Sequence, residues 1–289
     1  MENAEVKTLA RRLFSPLIPE AEGRWMVISG LAIVIFVLLL ALLAEFIAPY
    51  NPTKSTGDVL APPSFRHPMG TDNLGRDVLS RVIFGSRVVL MVVFTASLLS
   101  MSIGVPVGLI SGYFGGKLDR TLSMLMDSMY AFPSLILAIA IAAVLGPSIL
   151  NAMVAISVVY VPTYFRMIRG QTLSIKSRLF VEAAKAMGAG HFKILSRYIL
   201  PNIVTTIIVV FSLSVADAIL TEAGLSFLGF IVTAPTPDWG YDLSAGKPYL
   251  PAGYWWMITF PGMMVMILAL GFALIGEGLS ELYAPRGER

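Results

Sequence analysis

Six long apolar segments, separated by polar stretches, dominate the pattern of this chain. They cover residues 25–48, 88–111, 122–146, 149–165, 202–225 and 253–276. A helix needs about 20 mostly apolar residues to cross the hydrocarbon core of a bilayer. The first segment has no clear small-residue cleavage site after it, so it is expected to be retained as an anchor. The pattern therefore predicts an all-α membrane protein with six transmembrane helices.

The basic residues predict the orientation of these helices. Placing the N-terminus in the cytoplasm puts fifteen of the 21 Lys and Arg residues in inside segments and six outside. Cytoplasmic loops of membrane proteins are enriched in Lys and Arg, so both termini are predicted to be cytoplasmic. The predicted organisation is a cytoplasmic tail (1–24), a first transmembrane helix (25–48), an external loop (49–87), a five-helix core (88–276) that includes a cytoplasmic loop (166–201), and a second cytoplasmic tail (277–289).

The amino-acid composition excludes some kinds of chemical site. Its 289 residues are 56% hydrophobic and 13% charged, and none is cysteine, which excludes disulfides and thiolate metal sites. The two histidines, His67 and His191, lie in different loops and are expected to be solvated, because neither has a second ligand at metal-binding spacing. The net charge of +3 follows from the basic inside loops rather than from nucleic-acid affinity. No metal site is predicted.

An ATP-binding chain needs a phosphate-cradling loop, and the sequence offers only a poor approximation. In "SGYFGGKLD" the first glycine is displaced, and Leu118 stands where Ser or Thr would bind magnesium. Gly112, Gly115 and Gly116 are predicted to form a tight inside turn instead. The chain is therefore predicted to be a non-enzymatic protein without a cofactor of its own.

Part of the external loop has a helical pattern. In "TDNLGRDVLSRVIFGSR" apolar residues such as Leu74, Val78 and Val82 recur at helical spacing, with Arg76 and Arg81 among the residues on the other side. The pattern predicts a short helix that lies in the membrane interface and has Asp72 as its N-cap. Direct contact with an external partner is an open alternative and is compatible with it.

The cytoplasmic loop 166–201 has two amphipathic stretches around a glycine turn. Phe180, Ala183, Ala184 and Met187 fall on one helical face, and Gly188 is expected to end that helix. A second stretch follows Gly190, with one apolar face made by Phe192, Leu195, Tyr198 and Ile199. Pro201 suits the first turn of the next span. On pattern alone the loop could dock a partner or lie on the bilayer.

This loop resembles a known element. Glu182-Ala183-Ala184, then Gly188 after three intervening residues, and Leu200-Pro201 resemble the "EAA" loop of permease subunits of ATP-binding-cassette importers. Tyr198 departs from that pattern, which usually has an aliphatic residue three positions before the proline. Further stretches resemble the C-type permease of the dipeptide/oligopeptide/nickel group: "HPMGTDNLGRDVLSRVIFGSR" (67–87), "GYFGGKLDR" (112–120), "EAGLSFLG" (222–229), "PTPDWG" (235–240) and "GEGLSELYAPR" (276–286).

The resemblance implies a type I importer permease fold in a prokaryotic cytoplasmic membrane. It implies a second homologous permease, two ATPase subunits that bind ATP and Mg, and an extracellular or periplasmic substrate-binding protein as partners. Di- or oligopeptides are the implied substrates, with nickel chelates, glutathione and oligosaccharides as alternatives. An ion-coupled secondary transporter is the competing hypothesis from another class. The resemblance assigns coupling to the ATPase to Phe180, Glu182, Ala183, Ala184, Met187 and Gly188.

Four acidic residues lie in or beside the predicted spans, where an unpaired carboxylate is costly. Glu45, near an outer end, is expected to reach the interface, and Asp127 to form an inter-helix hydrogen bond or to contact substrate. Glu222 matches the family's run near the outer mouth, where capping or gating is expected. Asp217 departs from the family, which tends to have small residues at this position. Its carboxylate is predicted either to form a structural hydrogen bond or to attract cationic substrates.

Overall fold

The computed structural model describes residues 18–283, and the regular elements in that range are helical. The α-helices are α1 (Ile18–Leu42), α2 (Ala44–Ile47), α3 (Val78–Phe114), α4 (Gly116–Tyr130), α5 (Ser134–Leu145), α6 (Ile149–Lys176), α7 (Leu179–Ala186), α8 (His191–Ile194), α9 (Leu200–Phe227), α10 (Trp239–Gly246) and α11 (Trp256–Tyr283). A π turn (Leu195–Ile199) joins α8 to α9, and a 3₁₀ turn (Lys247–Ala252) follows α10. The all-α prediction is confirmed, although most of the two predicted tails lies outside the described residues.

The long helices account for the predicted spans. Within residues 18–283, five helical stretches are long and apolar enough to cross a membrane: 23–42, 78–114, 149–176, 191–227 and 256–283. A sixth crossing is made if α4 and α5, which meet at an angle of 90°, count as one broken span. Pro133 lies at this break, and the residue before a proline is disfavoured in the α-helical conformation. Six crossings match the six predicted segments.

Helices α3 and α6 form the tightly packed centre of the bundle. Three glycines at four-residue spacing on α3, Gly104, Gly108 and Gly112, lie directly against α6. Small residues at this spacing let two membrane helices approach closely. Gly112 was predicted to belong to the inside turn, and that prediction is wrong, because Gly112 lies within α3 and packs against Thr172. The turn itself is confirmed at Gly115 and Gly116, both of which have positive φ angles.

Gly104 provides a test of this close packing. A Cβ atom there would lie 2.6 Å from the Tyr164 Cβ and 2.8 Å from the Val161 carbonyl oxygen. We expect Gly104→Ala to destabilise the protein by about 1–2 kcal/mol, because overpacking outweighs the gain in helix propensity. Gly170→Ala is the matched control, since among the described residues no atom beyond its own stretch of helix lies within 4 Å of its added Cβ. Thermal unfolding in detergent should show a lower midpoint for Gly104→Ala only, and equal midpoints would contradict the packing argument.

The predicted interfacial helix does not exist as a separate element. Residues 71–77 of the predicted stretch are not helical, and its later residues form the first turns of α3, which begins at Val78 and continues without interruption into the membrane span. The N-cap is Asp77, whose Oδ2 accepts a hydrogen bond from the Ser80 N–H at 2.8 Å. The predicted N-cap at Asp72 is therefore wrong. Asp72 instead accepts from the backbone N–H and the Nε of Arg76, at 2.8 and 2.6 Å.

Candidate functional site

Residues 177–199, here called the elbow, form the predicted helix–turn–helix. Helix α7 ends where expected, because Gly188 has a φ angle of +79°. The Gly188 N–H donates to the Lys185 carbonyl at 2.9 Å, and the Ala189 N–H donates to the Ala184 carbonyl at 3.0 Å. This pair of hydrogen bonds is the Schellman motif, which requires a left-handed residue that glycine adopts without strain. The turn after α7 is therefore fixed by backbone geometry.

The exposed face of α7 differs in one residue from the predicted face. Leu179, Phe180 and Met187 are exposed, with Met187 retaining 77% of its accessible surface. Ala183 and Glu182 are also exposed. The predicted placement of Ala184 on this face is wrong, because Ala184 and Val181 are fully buried against the rest of the chain. Periodicity defines the apolar positions of a short helix, but it does not say which of them face their own chain.

The elbow is anchored to the helix bundle by polar and cationic contacts. The Tyr113 hydroxyl at the end of α3 is hydrogen-bonded to His191 Nδ1 at 2.8 Å, and Lys185 Nζ lies 5.7 Å from the centre of the Tyr113 ring. Just before the elbow, the ammonium of Lys176, the last residue of α6, donates to the Gly112 carbonyl of α3 at 3.3 Å and so joins the two helices from which the elbow projects. The buried side chain of Ile194 adds an apolar contact. The elbow is thus attached to α3 and α6 while its α7 face stays exposed.

The second half of the elbow continues directly into α9. Residues 191–227 form one helical stretch, and the only irregularity in it is the π turn just before Pro201. A proline cannot donate to the residue four positions before it and crowds that carbonyl, which the wider π turn accommodates. Ile199 is buried in this turn, whereas Phe192, predicted to share its face, is exposed. Movement of the elbow would therefore pass directly to α9.

Two ion pairs connect α4 to α6 near the elbow. Asp119 accepts from Arg169 Nε and Nη2 at 2.6 and 2.7 Å. Asp127 accepts from Arg166 Nη2 at 2.7 Å, which confirms the predicted inter-helix hydrogen bond. The Arg166 guanidinium also lies 4.0 Å from the centre of the Tyr130 ring. These contacts fix the position of α4 just before the broken span bends.

Beside the bend, two adjoining cavities share the carboxylate of Asp217. Their volumes are about 260 and 250 Å³. Asp217 is exposed, whereas Glu222 is fully buried and lines neither cavity. Asp217, Glu222 and Asp127 were all candidates for the substrate path, and of these described residues only Glu222 has no cavity beside it. Asp127 lines a separate cavity of about 850 Å³ together with its ion-paired neighbours Asp119 and Arg169. Residues common to both cavities are Ser134, Tyr160 and Asp217.

At the opposite end of the bundle, residues 48–77 and 228–255 form a folded cap. Arg81 is buried in it, with its Nε donating to Asp242 Oδ1 at 2.9 Å and its Nη1 donating to the carbonyls of Pro52 and Pro235 at 3.0 and 3.1 Å. Burial raises the pKa of Asp242 to about 6, although the Arg81 guanidinium lowers it. His67 was expected to be solvated, but it is buried, with Nδ1 2.8 Å from Asp77 Oδ1.

The cap covers the polar residues that were placed opposite the apolar side of the predicted interfacial helix. Arg76, Asp77, Ser80 and Arg81 are all buried inside the cap rather than exposed at an interface. Two tryptophans bind it to the helices: Trp239 Nε1 donates to the Val82 carbonyl at 2.9 Å, and Trp256 Nε1 donates to the Thr71 carbonyl at 3.0 Å. The cap is therefore a rigid, hydrogen-bonded layer over one end of the bundle.

Six candidate crossings, a folded cap at one end and an elbow continuous with a span at the other define a multi-pass helical membrane protein. Residues 104–287 match the family described as "Binding-protein-dependent transport system inner membrane component". Residues 24–63 match the N-terminal transmembrane domain of oligopeptide transport permease C. The chain belongs to the binding-protein-dependent transport system inner membrane component family, as the sequence resemblance predicted.

Similar proteins cover nearly the full length of the chain. It is 39% identical over 264 residues to the dipeptide transport system permease protein DppC of Haemophilus influenzae, covering 89% of each chain. It is 40% identical to the DppC of Alkalihalophilus pseudofirmus, covering 90% of this chain and 85% of that one. The glutathione transport system permease protein GsiD of Pectobacterium atrosepticum is 36% identical, with 87% and 85% covered. The chain is thus an inner-membrane permease of the ATP-binding-cassette importer class.

Proposed function

We propose that this chain is the non-catalytic permease subunit of an ATP-driven importer of di- or oligopeptides. The observation that carries the proposal is the elbow, which presents an exposed apolar helix and continues directly into the transmembrane helix α9. The family's transport is binding-protein-dependent, which implies ATPase and substrate-binding partners. We further propose two ATPase subunits and a second, homologous permease, with both termini of this chain in the cytoplasm. The excess of basic residues in the inside segments supports this orientation.

The exposed face of α7 has the chemistry of a protein interface. Leu179, Phe180 and Met187 would leave apolar side chains in water at the elbow if nothing covered them. A groove on an ATPase subunit would bury them, and Glu182 beside them supplies a charge that orients the docked surface. Ala183 lets the partner approach the backbone closely. Gly188 acts differently, because it fixes the direction in which α7 projects.

The proposed mechanism is alternating access. ATP and Mg bind to the ATPase subunits, which close and move the elbow, and α9 transmits this movement to the helices around the Asp217 cavity. The pathway then opens toward the substrate-binding protein and receives the ligand. Hydrolysis in the ATPase subunits resets the inward-open state. This chain contributes the mechanical connection and the path, with no bond-breaking step of its own.

The names of the similar proteins indicate the class of substrate. Their names specify dipeptides, di- and tripeptides, D,D-dipeptides and glutathione, all of which contain peptide bonds. We therefore propose di- or oligopeptides as substrates, ahead of nickel chelates and oligosaccharides. Uptake of labelled dialanine into proteoliposomes containing the whole complex tests this directly. Vanadate-sensitive uptake is expected, and uptake driven by an ion gradient without ATP would contradict the proposal.

Met187→Asp tests the docking surface. Met187 is exposed, so the substitution should leave folding and membrane insertion intact. Losing a buried apolar side chain from an interface costs about 1.5–3 kcal/mol, so the amount of ATPase subunit that co-purifies should fall at least about tenfold. Leu118→Asp is the control, because Leu118 is also an exposed apolar residue but lies on α4. Equal recovery of the ATPase with Met187→Asp and the wild type would argue against α7 as the docking surface.

A further inference from the structure

Asp217 lies deep within a membrane-spanning helix and is nevertheless exposed. Asp217 lies ten residues before Phe227, the last residue of α9. At about 1.5 Å per residue, this distance places Asp217 about 15 Å from the end of α9 that meets the cap. A carboxylate at this depth is strongly disfavoured next to lipid, so it must face protein or water. The exposed side of α9 at Asp217 therefore belongs to an internal surface of the assembled transporter.

The two acids of α4 that face α6 are paired with arginines, whereas Asp217 is not, and the other acid of α9, Glu222, is fully buried and lines neither cavity. Asp119 and Asp127 each accept hydrogen bonds from an arginine of α6. Within residues 18–283, Asp217 takes part in no hydrogen bond or ion pair. Its carboxylate is directed into the two adjoining cavities, which it lines. The charge of Asp217 is thus available to something that enters this space.

The cavity lining favours a positive group. Among the residues that the structure describes, Asp217 is the only charged one that lines either cavity, and these lining residues include no Lys, Arg or His. The remaining polar atoms are mostly hydroxyl oxygens, which accept hydrogen bonds, and three aromatic rings add faces that attract cations, although the Tyr130 ring already has the Arg166 guanidinium beside it. These residues are Tyr130, Phe132, Ser134, Tyr160, Thr163 and Thr221.

The break between α4 and α5 lies at the edge of this cavity. Ala131 and Phe132 interrupt the helix, and the two parts differ in direction by 90°. Non-helical backbone at membrane depth occurs where it is buried in protein or lines a water-filled space. Phe132 and Ser134, on either side of Pro133, both line the cavity. The broken span and the unpaired acid therefore meet at the same point.

We propose that Asp217 makes this cavity selective for cations and that it binds the ammonium group of the transported substrate. A primary ammonium group has three N–H donors, which the Asp217 carboxylate and the hydroxyl oxygens of Ser134 and Tyr160 can accept. Asp217 is then a specificity-determining residue for substrates with a free amino group. The substrate part of this proposal rests on the proposed importer function, whereas the charge of the cavity can be tested without any substrate.

The absence of cysteine from the chain makes a substrate-free test possible. Thr163→Cys places one thiol in the cavity lining, and the assembled complex is treated with the cationic aminoethyl or the anionic sulfonatoethyl methanethiosulfonate. The wild-type chain serves as the blank for cysteines of other subunits. We expect the cationic reagent to be favoured, and adding Asp217→Asn to lower that preference about tenfold. Asp217→Glu should preserve it, and an unchanged preference with Asp217→Asn would overturn the proposal.

Transport of labelled dialanine then tests the role in substrate binding. In proteoliposomes with the substrate-binding protein, Asp217→Asn should reduce uptake at low dialanine concentration about tenfold, and Asp217→Glu should retain most of it. Unchanged uptake with Asp217→Asn would overturn the substrate assignment. If Asp217→Asn instead releases the second permease on purification, the acid is an interface residue and the proposal fails. If the proposed importer function is wrong, the wild-type complex will not take up dialanine. The preference of the cavity for the cationic thiol reagent would be unaffected by that result.

Discussion

Replacing Gly188 by valine is expected to abolish ATP-driven uptake while leaving the protein inserted in the membrane. Gly188 has a φ angle of +79°, which costs an L-residue about 1–2 kcal/mol and a β-branched residue more. The hydrogen bonds that end α7 depend on this conformation, so valine should change the direction in which α7 projects. We expect uptake to fall to below about a tenth of the wild-type rate, measured in proteoliposomes beside the yield of membrane-inserted protein.

Gly190→Val provides the matched control for this experiment. Gly190 lies two residues further along the same turn, and within residues 18–283 no atom other than those of the adjoining residues lies within 4 Å of an added Cβ at either glycine. Its φ and ψ angles are −67° and 157°, in the extended region that valine adopts readily. The two variants therefore differ mainly in backbone conformation. If both lost uptake equally, the effect would come from added bulk at a docking surface, and the argument from the φ angle would be wrong.

The features that could be predicted from sequence are those set by neighbouring residues. The end of α7 follows from Gly188, which adopts the left-handed conformation without strain, and Pro201 accounts for the π turn just before it, because its ring cannot fit a regular α-helical turn. The spans follow from segment length and apolarity alone. The broken span had a local signal too, since Pro133 interrupts the third apolar segment. The 90° angle at that break, however, depends on how α4 and α5 pack on α6, which no local pattern specifies.

The features that could not be predicted depend on contacts between distant residues. An amphipathic pattern around Arg81 indicated a polar face, but it did not show that this face is covered by residues such as Asp242, 161 positions away. The same limitation applies to Ala184, whose burial depends on the chain behind α7. Asp217 was recognised from sequence as an unusual acid, yet only the fold shows that it is unpaired and lines a cavity.

Arg81 is the residue on which the cap most depends. Its side chain is almost fully buried and joins three parts of the chain through Pro52, Pro235 and Asp242. Its removal would leave the Asp242 carboxylate buried without its cationic partner, and an uncompensated buried charge costs about 3–5 kcal/mol. The exposed pair between Arg66 and Asp58 makes a contrasting case, because a solvated ion pair contributes only about 0–1 kcal/mol.

Arg81→Met is therefore expected to destabilise the protein by about 3–5 kcal/mol and Arg66→Met by less than about 1 kcal/mol, measured as thermal unfolding in detergent. The double variant Arg81→Met, Asp242→Leu separates the causes, because it removes the orphaned carboxylate as well. If the unpaired charge is the main cost, the double variant should recover much of the lost stability. If it is no more stable than Arg81→Met alone, the cost lies in the lost hydrogen bonds to the carbonyls of Pro52 and Pro235, which would then hold the cap in place.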